Sequence, residues 1–316
     1  MADNDAIVEA FDSRAERRQE RRAFIQSVGV KALGGLAFVT MGSRAMAQAA
    51  PTDADILNFA LNLEYLEAQF YFFAAFGQGL PNSILTGTGT QGPVIGGRQV
   101  NFTDPLVRQY AIEIARDERA HVEFLRTALG GAAVAQPTIN ISGDANGPFS
   151  AAARAAGLIG PGESFDPYAS DENFLLGAFI FEDVGVTAYK GAAPLITSKV
   201  FLEAAAGILA VEAYHAALIR TVLFRKGVQQ TPALIQATER ISDARDSLDN
   251  SQDQDQGIAP RDGGSNIVPA DQDAIAFSRT APDVLNIVYL DRNAVSAGGF
   301  FPNGVNGTIR TSSAFQ

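Results

Sequence analysis

The chain has 316 residues, 47% of them hydrophobic and 19% charged, which suits a globular protein with a sizeable core and excludes wholesale disorder. Its net charge is −11 and no basic stretch beyond the N-terminus could neutralise a row of phosphates, so nucleic acid is excluded as a partner. Cysteine is absent and histidine occurs twice, at His121 and His215, which excludes disulfides, thiolate chemistry and Cys-type zinc or iron–sulfur sites.

Residues 3–22 are charged and mixed in sign, ending in Glu20-Arg21-Arg22-Ala23-Phe24-Ile25-Gln26 before a weakly apolar run to about Met41. An Arg pair, a Phe two positions on and a modest apolar region read as a twin-arginine export signal. Ala45-Met46-Ala47 or Ala47-Gln48-Ala49 supplies the small-x-small cleavage pattern. Lys31 and three glycines argue against a membrane-spanning helix here. Residues 1–49 hold 7 Lys and Arg against 6 Asp and Glu, so their removal leaves a chain of charge −12. The expectation is a periplasmic or otherwise exported protein with no membrane association after cleavage.

Thr52 and Asp55 are spaced as a capping box, and a long apolar-periodic helix is predicted from about 53 to Phe76, before Gly77. Residues 77–102 are rich in Gly, Thr, Asn and Pro and read as an extended loop with a short hairpin at Val94 to Val100. None of its glycines has phosphate-cradle spacing. Thr103-Asp104-Pro105 starts a second helix that ends at Gly130-Gly131. Residues 132–169 lack strong periodicity apart from a short Ala-rich helix near 149–157. A connection that long is explained if it joins helices across a bundle. A third long helix is predicted from Ser170-Asp171 to about Gly191, and a fourth from about Ser198 to Lys226, stopping at Gly227. The fold class is therefore all-α: a four-helix bundle over residues 50–230 with one long crossover. Residues 231–316 form a C-terminal extension, with a helix at Pro232 to Leu248, helix-like stretches at Ala270 to Arg279 and Pro282 to Tyr289, and a Gly/Asn/Phe-rich tail. Phe300 and Phe301 argue that this tail packs on the bundle.

Both histidines sit three residues after a glutamate on an apolar helix face. Glu118 and His121 share a stripe with Ala111, Ile114, Val122 and Leu125; Glu212 and His215 lie among Ile208 and Ile219. With 14 glutamates in the chain, coincidence has a chance on the order of one in five hundred. The first helix offers Glu64 on a stripe with Ala60, Ala68 and Tyr71, and the third offers Glu182 with Leu175, Ala178, Val186 and Tyr189. Each of these glutamates has a tyrosine seven residues on, so the first helix pair repeats in the second as a pseudo-twofold pattern. Four carboxylates and two imidazoles cost several kcal/mol each to bury unpaired, roughly speaking. Two divalent cations would bring the cluster near neutrality. Oxygen and imidazole donors suit iron or manganese, two ions per chain, with zinc possible.

This arrangement resembles the ferritin-like di-metal carboxylate superfamily, in which two helices give one Glu each and two give Glu-x-x-His. The segment Ile56 to Glu67 and the later Phe300-Phe301-Pro302-Asn303-Gly304 are similar to exported ferritin-like proteins related to plant desiccation proteins. The resemblance implies Glu64, Glu118, His121, Glu182, Glu212 and His215 as metal ligands, with redox chemistry on peroxide, oxygen or ferrous iron. For the desiccation branch it implies a stress association with no settled reaction, and a non-catalytic scaffold is the alternative function. Glu67 could replace Glu64, which is preferred for its tyrosine at +7. Tyr71 and Tyr189 could bond ligand carboxylates, carry an electron or simply pack. Asp117, Arg119, Glu123 and Arg126 read as a solvated face with i,i+4 pairing, Asp183 as either close behind the ligands or exposed, and the aromatics from Phe70 to Phe76 as core or subunit interface. A homo-oligomer is expected, a dimer over a mineral-storing cage, because the long connections would have to fit a closed shell.

Overall fold

The computed structural model describes residues 50–315. The expected export signal in residues 1–49 lies outside the described residues.

Helix α1 spans Asp53–Phe76 and opens with the capping box: Thr52 accepts from the Asp55 amide while the Asp55 carboxylate accepts from the Thr52 amide. Gly77, at φ +72°, closes it by donating to the Phe73 carbonyl. Almost every side chain of α1 from Ile56 to Ala75 is buried, including Asn58, Asn62, Glu64, Glu67 and Gln69. The structural polar groups among them find partners. Asn58 bonds the backbone of Ala132 and Val134, Asn62 bonds that of Asn306, and Gln69 donates to Gln136.

Helix α2, Pro105–Leu129, begins at Asp104, whose carboxylate accepts from the amides of Leu106 and Val107, and has Pro105 in its first turn. Helix α3, Pro148–Ala155, is the short helix expected in the crossover. Helix α4, Asp171–Ala192, is capped by Ser170, and α5, Lys199–Gln229, by Ser198. The main interfaces are α1 on α2 and α4 on α5, with the residues between α2 and α4 crossing from one pair to the other. Among the described residues α5 alone is long and apolar enough to cross a membrane; in this bundle its Glu212 and His215 are buried.

Two expectations are corrected. Residues 94–100 form no hairpin: β1, Val94–Gly96, pairs in parallel with β2, Ile139–Ile141, in the register Val94 with Ile139 and Gly96 with Ile141. Parallel partners need a crossover, and α2 supplies it. The glycines that suggested a turn serve instead for close approach, since a Cβ on Gly92 would lie 2.2 Å from the Thr138 amide nitrogen. The stretch from Ala270 to Arg279 is not helical. Asp271 folds it into a turn by accepting from the amides of Asp273 and Ile275, and Ala274 sits at φ +58°. The Arg279 amide then donates to the Thr187 carbonyl of α4, a tertiary bond that a helix there would forfeit.

The C-terminal residues cover one side of the bundle. Helix α6, Ala233–Asp246, packs on α5 and α4; α7, Ala281–Tyr289, packs on α4. Phe300 is fully buried, its ring centroid 4.9 Å from that of Phe181 and 5.1 Å from that of Phe149. A buried ionic network ties the same region down. Arg220, Arg245 and Arg279 meet Asp183, Asp249 and Asp255, three positive charges against three negative. Arg220 also donates to the backbone carbonyls of Gln256, Gly257, Asn266 and Ile267, so one α5 side chain anchors two stretches of the extension.

Candidate metal centre

Spacing i,i+3 puts Glu118 and His121 on the buried stripe of α2, and Glu212 and His215 on that of α5. Glu64 of α1 and Glu182 of α4 face them from the other two helices. The structure brings all six side chains into one cluster, each at most 8% exposed. His121 Nδ1 lies 3.2 Å from Glu64 Oε2, 3.6 Å from Glu118 Oε2 and 3.7 Å from Glu212 Oε1. His215 Nδ1 lies 3.0 Å from Glu118 Oε1 and 3.7 Å from Glu182 Oε2. These contacts define two donor groups, Glu64, Glu118, His121 and Glu212 in one and Glu118, Glu182 and His215 in the other. Glu118 belongs to both, with one oxygen toward each histidine.

The tyrosines cross between the halves. Tyr71 of α1 donates to Glu182 Oε1 of α4, and Tyr189 of α4 donates to Glu64 Oε1 of α1. Each terminal glutamate thus has one oxygen held by a phenol from the opposite half, which leaves Oε2 facing a histidine. The spacing of seven pointed to these two tyrosines but not to their partners, because it describes one helix and the bonds run between two.

Burial is the main electrostatic influence. It pushes Glu64 up to about 7 and Glu182 up to about 8, and it raises Glu67 and Glu212 well above the usual carboxylate range, reinforced by the neighbouring carboxylates. Burial also opposes charge on Glu118 and His215. In Glu118 the two histidines outweigh it and hold the carboxyl well below its usual range; in His215, Glu182, Asp117 and Glu118 outweigh it and lift the imidazole to about 10. Protons alone leave the cluster unresolved. Both oxygens of Glu118, both of Glu212, Glu182 Oε2 and His215 Nδ1 are buried without a hydrogen-bond partner. Orphaned acceptors converging from three helices, α2, α4 and α5, with Glu64 of α1 beside them, fit a divalent cation better than they fit an apolar core.

Glu67 lies beside the cluster but in neither donor group, so it is Glu64 that gathers with the histidines. Glu67 borders an apolar cavity of about 20 Å³ lined by Leu63, Leu66, Val184, Gly185 and Phe300 among others, room for one molecule of water's size. Gly185, opposite, is required by the cluster: a Cβ there would lie 2.1 Å from Glu212 Oε2 and 3.5 Å from Glu67 Oε1. Its signal in the sequence is a glycine inside a long helix, three residues after Glu182.

The solvated face expected on α2 is only partly solvated. Arg119 and Glu123 do pair at 2.9 Å, but Arg126 reaches inward to the Tyr65 hydroxyl at 2.6 Å, and Asp117 Oδ2 lies 3.4 Å from His215 Nε2. Asp183, next to Glu182, is buried and faces away from the histidines, accepting from Arg220 at 2.8 Å and Arg245 at 3.0 Å.

An antiparallel-paired helical bundle with Glu on two helices and Glu-x-x-His on two is the architecture of the ferritin-like proteins. Residues 52–225 match the family model of the ferritin-like domain, and the chain belongs to that family. It is similar to the ferritin-like catalase Nec2 of Nesocodon mauritianus, 32% identical over 268 residues that cover 81% of this chain and 84% of the relative. It is also similar to the desiccation-related protein PCC13-62 of Craterostigma plantagineum, 30% identical over 267 residues covering 81% and 83%. No solved structure matches the chain.

Proposed function

We propose that this chain binds two iron or manganese ions through Glu64, Glu118, His121, Glu182, Glu212 and His215, and disproportionates hydrogen peroxide to water and dioxygen. The observation that carries the reading is the set of buried, unpartnered carboxylate oxygens and the imidazole nitrogen converging at the bundle centre. Peroxide is favoured among small oxidants by the relative named a ferritin-like catalase.

A bound pair of redox-active ions would supply the two-electron exchange with peroxide. The protein's own contribution is positional. Tyr71 and Tyr189 hold Glu182 and Glu64 by one oxygen each, fixing the direction of the other. Glu118 stays ionised between the histidines and can serve both ions. Glu67, its carboxyl pushed well above the usual range by burial and by Glu118, Glu182 and Glu64, is the polar side chain on the wall of the small cavity, which has room for one molecule of water's size and none for a hydrated cation. The apolar lining keeps bulk water from the cluster.

The test is dioxygen evolution from peroxide by metal-loaded protein, followed with an oxygen electrode. Turnover that disappears in Glu118→Ala or His215→Ala supports the reading; a fully loaded, inert wild type contradicts it. That inert outcome is what the second reading expects, a non-catalytic desiccation-stress protein that uses the bundle as a scaffold, favoured by the relative named a desiccation-related protein.

Export belongs to the same proposal. Arg21-Arg22, Phe24 and Ala45-Met46-Ala47 support passage through a twin-arginine route and cleavage near residue 49. N-terminal sequencing of protein from a periplasmic fraction tests it. A dimer is proposed as the soluble form, and its mass in solution tests that.

A further inference from the structure

The two halves of the centre repeat in sequence but not in what stands behind their histidines. Glu118 is preceded by Asp117, while Glu212, its counterpart, is preceded by Val211. Asp117 Oδ2 lies 3.4 Å from His215 Nε2, the ring nitrogen remote from the cluster, and His215 Nδ1 faces Glu118 Oε1 at 3.0 Å. A proton on Nε2, donated to Asp117, leaves the Nδ1 lone pair directed at the cluster and raises its basicity. In the other half the corresponding position holds only hydrocarbon. Among the described residues no acceptor meets His121 Nε2; the contacts of this ring are all through Nδ1.

The carboxylates are distributed the opposite way. Three of them, from Glu64, Glu118 and Glu212, approach His121 Nδ1, whereas two, from Glu118 and Glu182, approach His215 Nδ1. Four protein donors converge around the first position and three around the second. The first is held by the number of its oxygens. The second has fewer, so it depends more on the orientation and basicity of its imidazole.

Building on the metal reading above, we propose that the two ion positions are inequivalent: the one at His121 is filled first by its surplus of carboxylates, and the one at His215 is weaker and relies on Asp117 as a positioning residue. Among the described residues Asp117 bonds no other side chain, and its own side chain is 38% exposed, so changing it leaves the packing of the bundle intact. The substitution Asp117→Val copies the other half.

The experiment is a calorimetric titration of the metal-free protein with Mn2+, and with Fe2+ under exclusion of oxygen. Wild type is expected to take two ions in two steps of different affinity. Asp117→Val should weaken only the second step, by roughly 10- to 100-fold, and Asp117→Glu should restore most of the loss. Thermal unfolding of the metal-free variants should match that of wild type. Two equal steps in wild type, or a variant that weakens both steps or neither, would overturn the inequivalence while leaving the metal reading in place. Uptake of neither ion by wild type would overturn the metal reading and this proposal with it.

Discussion

Gly185 is the position where a single methyl group separates the demands of the fold from those of the site. In Gly185→Ala the new Cβ would stand 2.1 Å from Glu212 Oε2 and 3.1 Å from Glu212 Cδ. Ordinary contact requires the carboxylate to retreat by more than about 1 Å. It is the far end of a flexible side chain, so the helix itself need not move. Alanine favours the helix by about 1 kcal/mol over glycine, and crowding in a packed interior costs about 1 to 3 kcal/mol. The metal-free variant should therefore lie within about 2 kcal/mol of wild type in urea unfolding. Metal binding should suffer far more, because a ligand held 1 Å or so out of place, roughly, is outside the tolerance of a coordination site. The expected loss is at least about 10- to 100-fold in Mn2+ affinity by calorimetry. Gly207, on the same bundle but with nothing within 4 Å of its hypothetical Cβ, is the control. Gly207→Ala should gain up to about 1 kcal/mol and leave metal binding unchanged. A Gly185→Ala protein that binds Mn2+ as wild type does would refute the placement of Glu212 against α4.

Other perturbations probe the supports of the centre. Tyr71→Phe and Tyr189→Phe each leave one buried carboxyl oxygen without its donor, on Glu182 and Glu64 respectively, and each should destabilise the metal-free protein by about 1 to 3 kcal/mol in urea. Arg220→Met strips one cation from the buried network beside Asp183 and should cost about 3 to 5 kcal/mol, with the extension the first region to show amide exchange. Phe300→Ala removes a fully buried ring from against Phe181 and Phe149 and should cost about 3 to 5 kcal/mol by the same measure. The pH dependence has a definite sign. Glu64, raised to about 7, and Glu182, raised to about 8, bind protons more tightly folded than unfolded, so their contribution is complete below the ordinary carboxylate range and is lost as pH rises through 7 and 8. His215, raised to about 10, adds stability that is full below its ordinary value and lost through 10. The metal-free protein should consequently melt at a lower temperature at pH 8 than at pH 5, while metal affinity rises with pH because the ligands must lose their protons. A metal-free melting temperature that climbs from pH 5 to pH 8 would contradict the buried cluster.

What the sequence discloses here is whatever repeats along one helix. Thr52, Asp104, Ser170 and Ser198 mark the four bundle helices because each cap is a local bond to the next turn. The Glu-x-x-His pairs are visible because three residues is a helical neighbour distance. Bonds between distant segments leave no such mark. Asp183 looks like either a support for Glu182 or a surface charge until Arg220 and Arg245 arrive from α5 and α6 to bury it. Asp117 reads as one charge among several on an exposed face, and only the approach of α5 shows that it stands behind His215. Residues 94–96 carry the apolar and glycine pattern of a hairpin, and nothing local reveals that their partner lies beyond α2. The stretch from Ala270 to Arg279 has helical composition, but the backbone bond to Thr187 and the burial of Arg279 between Asp249 and Asp255 outweigh that preference.

The convergent carboxylates and imidazoles are proposed to hold two metal ions. Metal content by plasma mass spectrometry, on protein isolated from its native host and on the double variant His121→Ala/His215→Ala, tests this most directly. Wild type should carry close to two iron or manganese ions per chain, and the variant should lose them. A wild type that is fully folded, stable and free of metal would contradict the proposal.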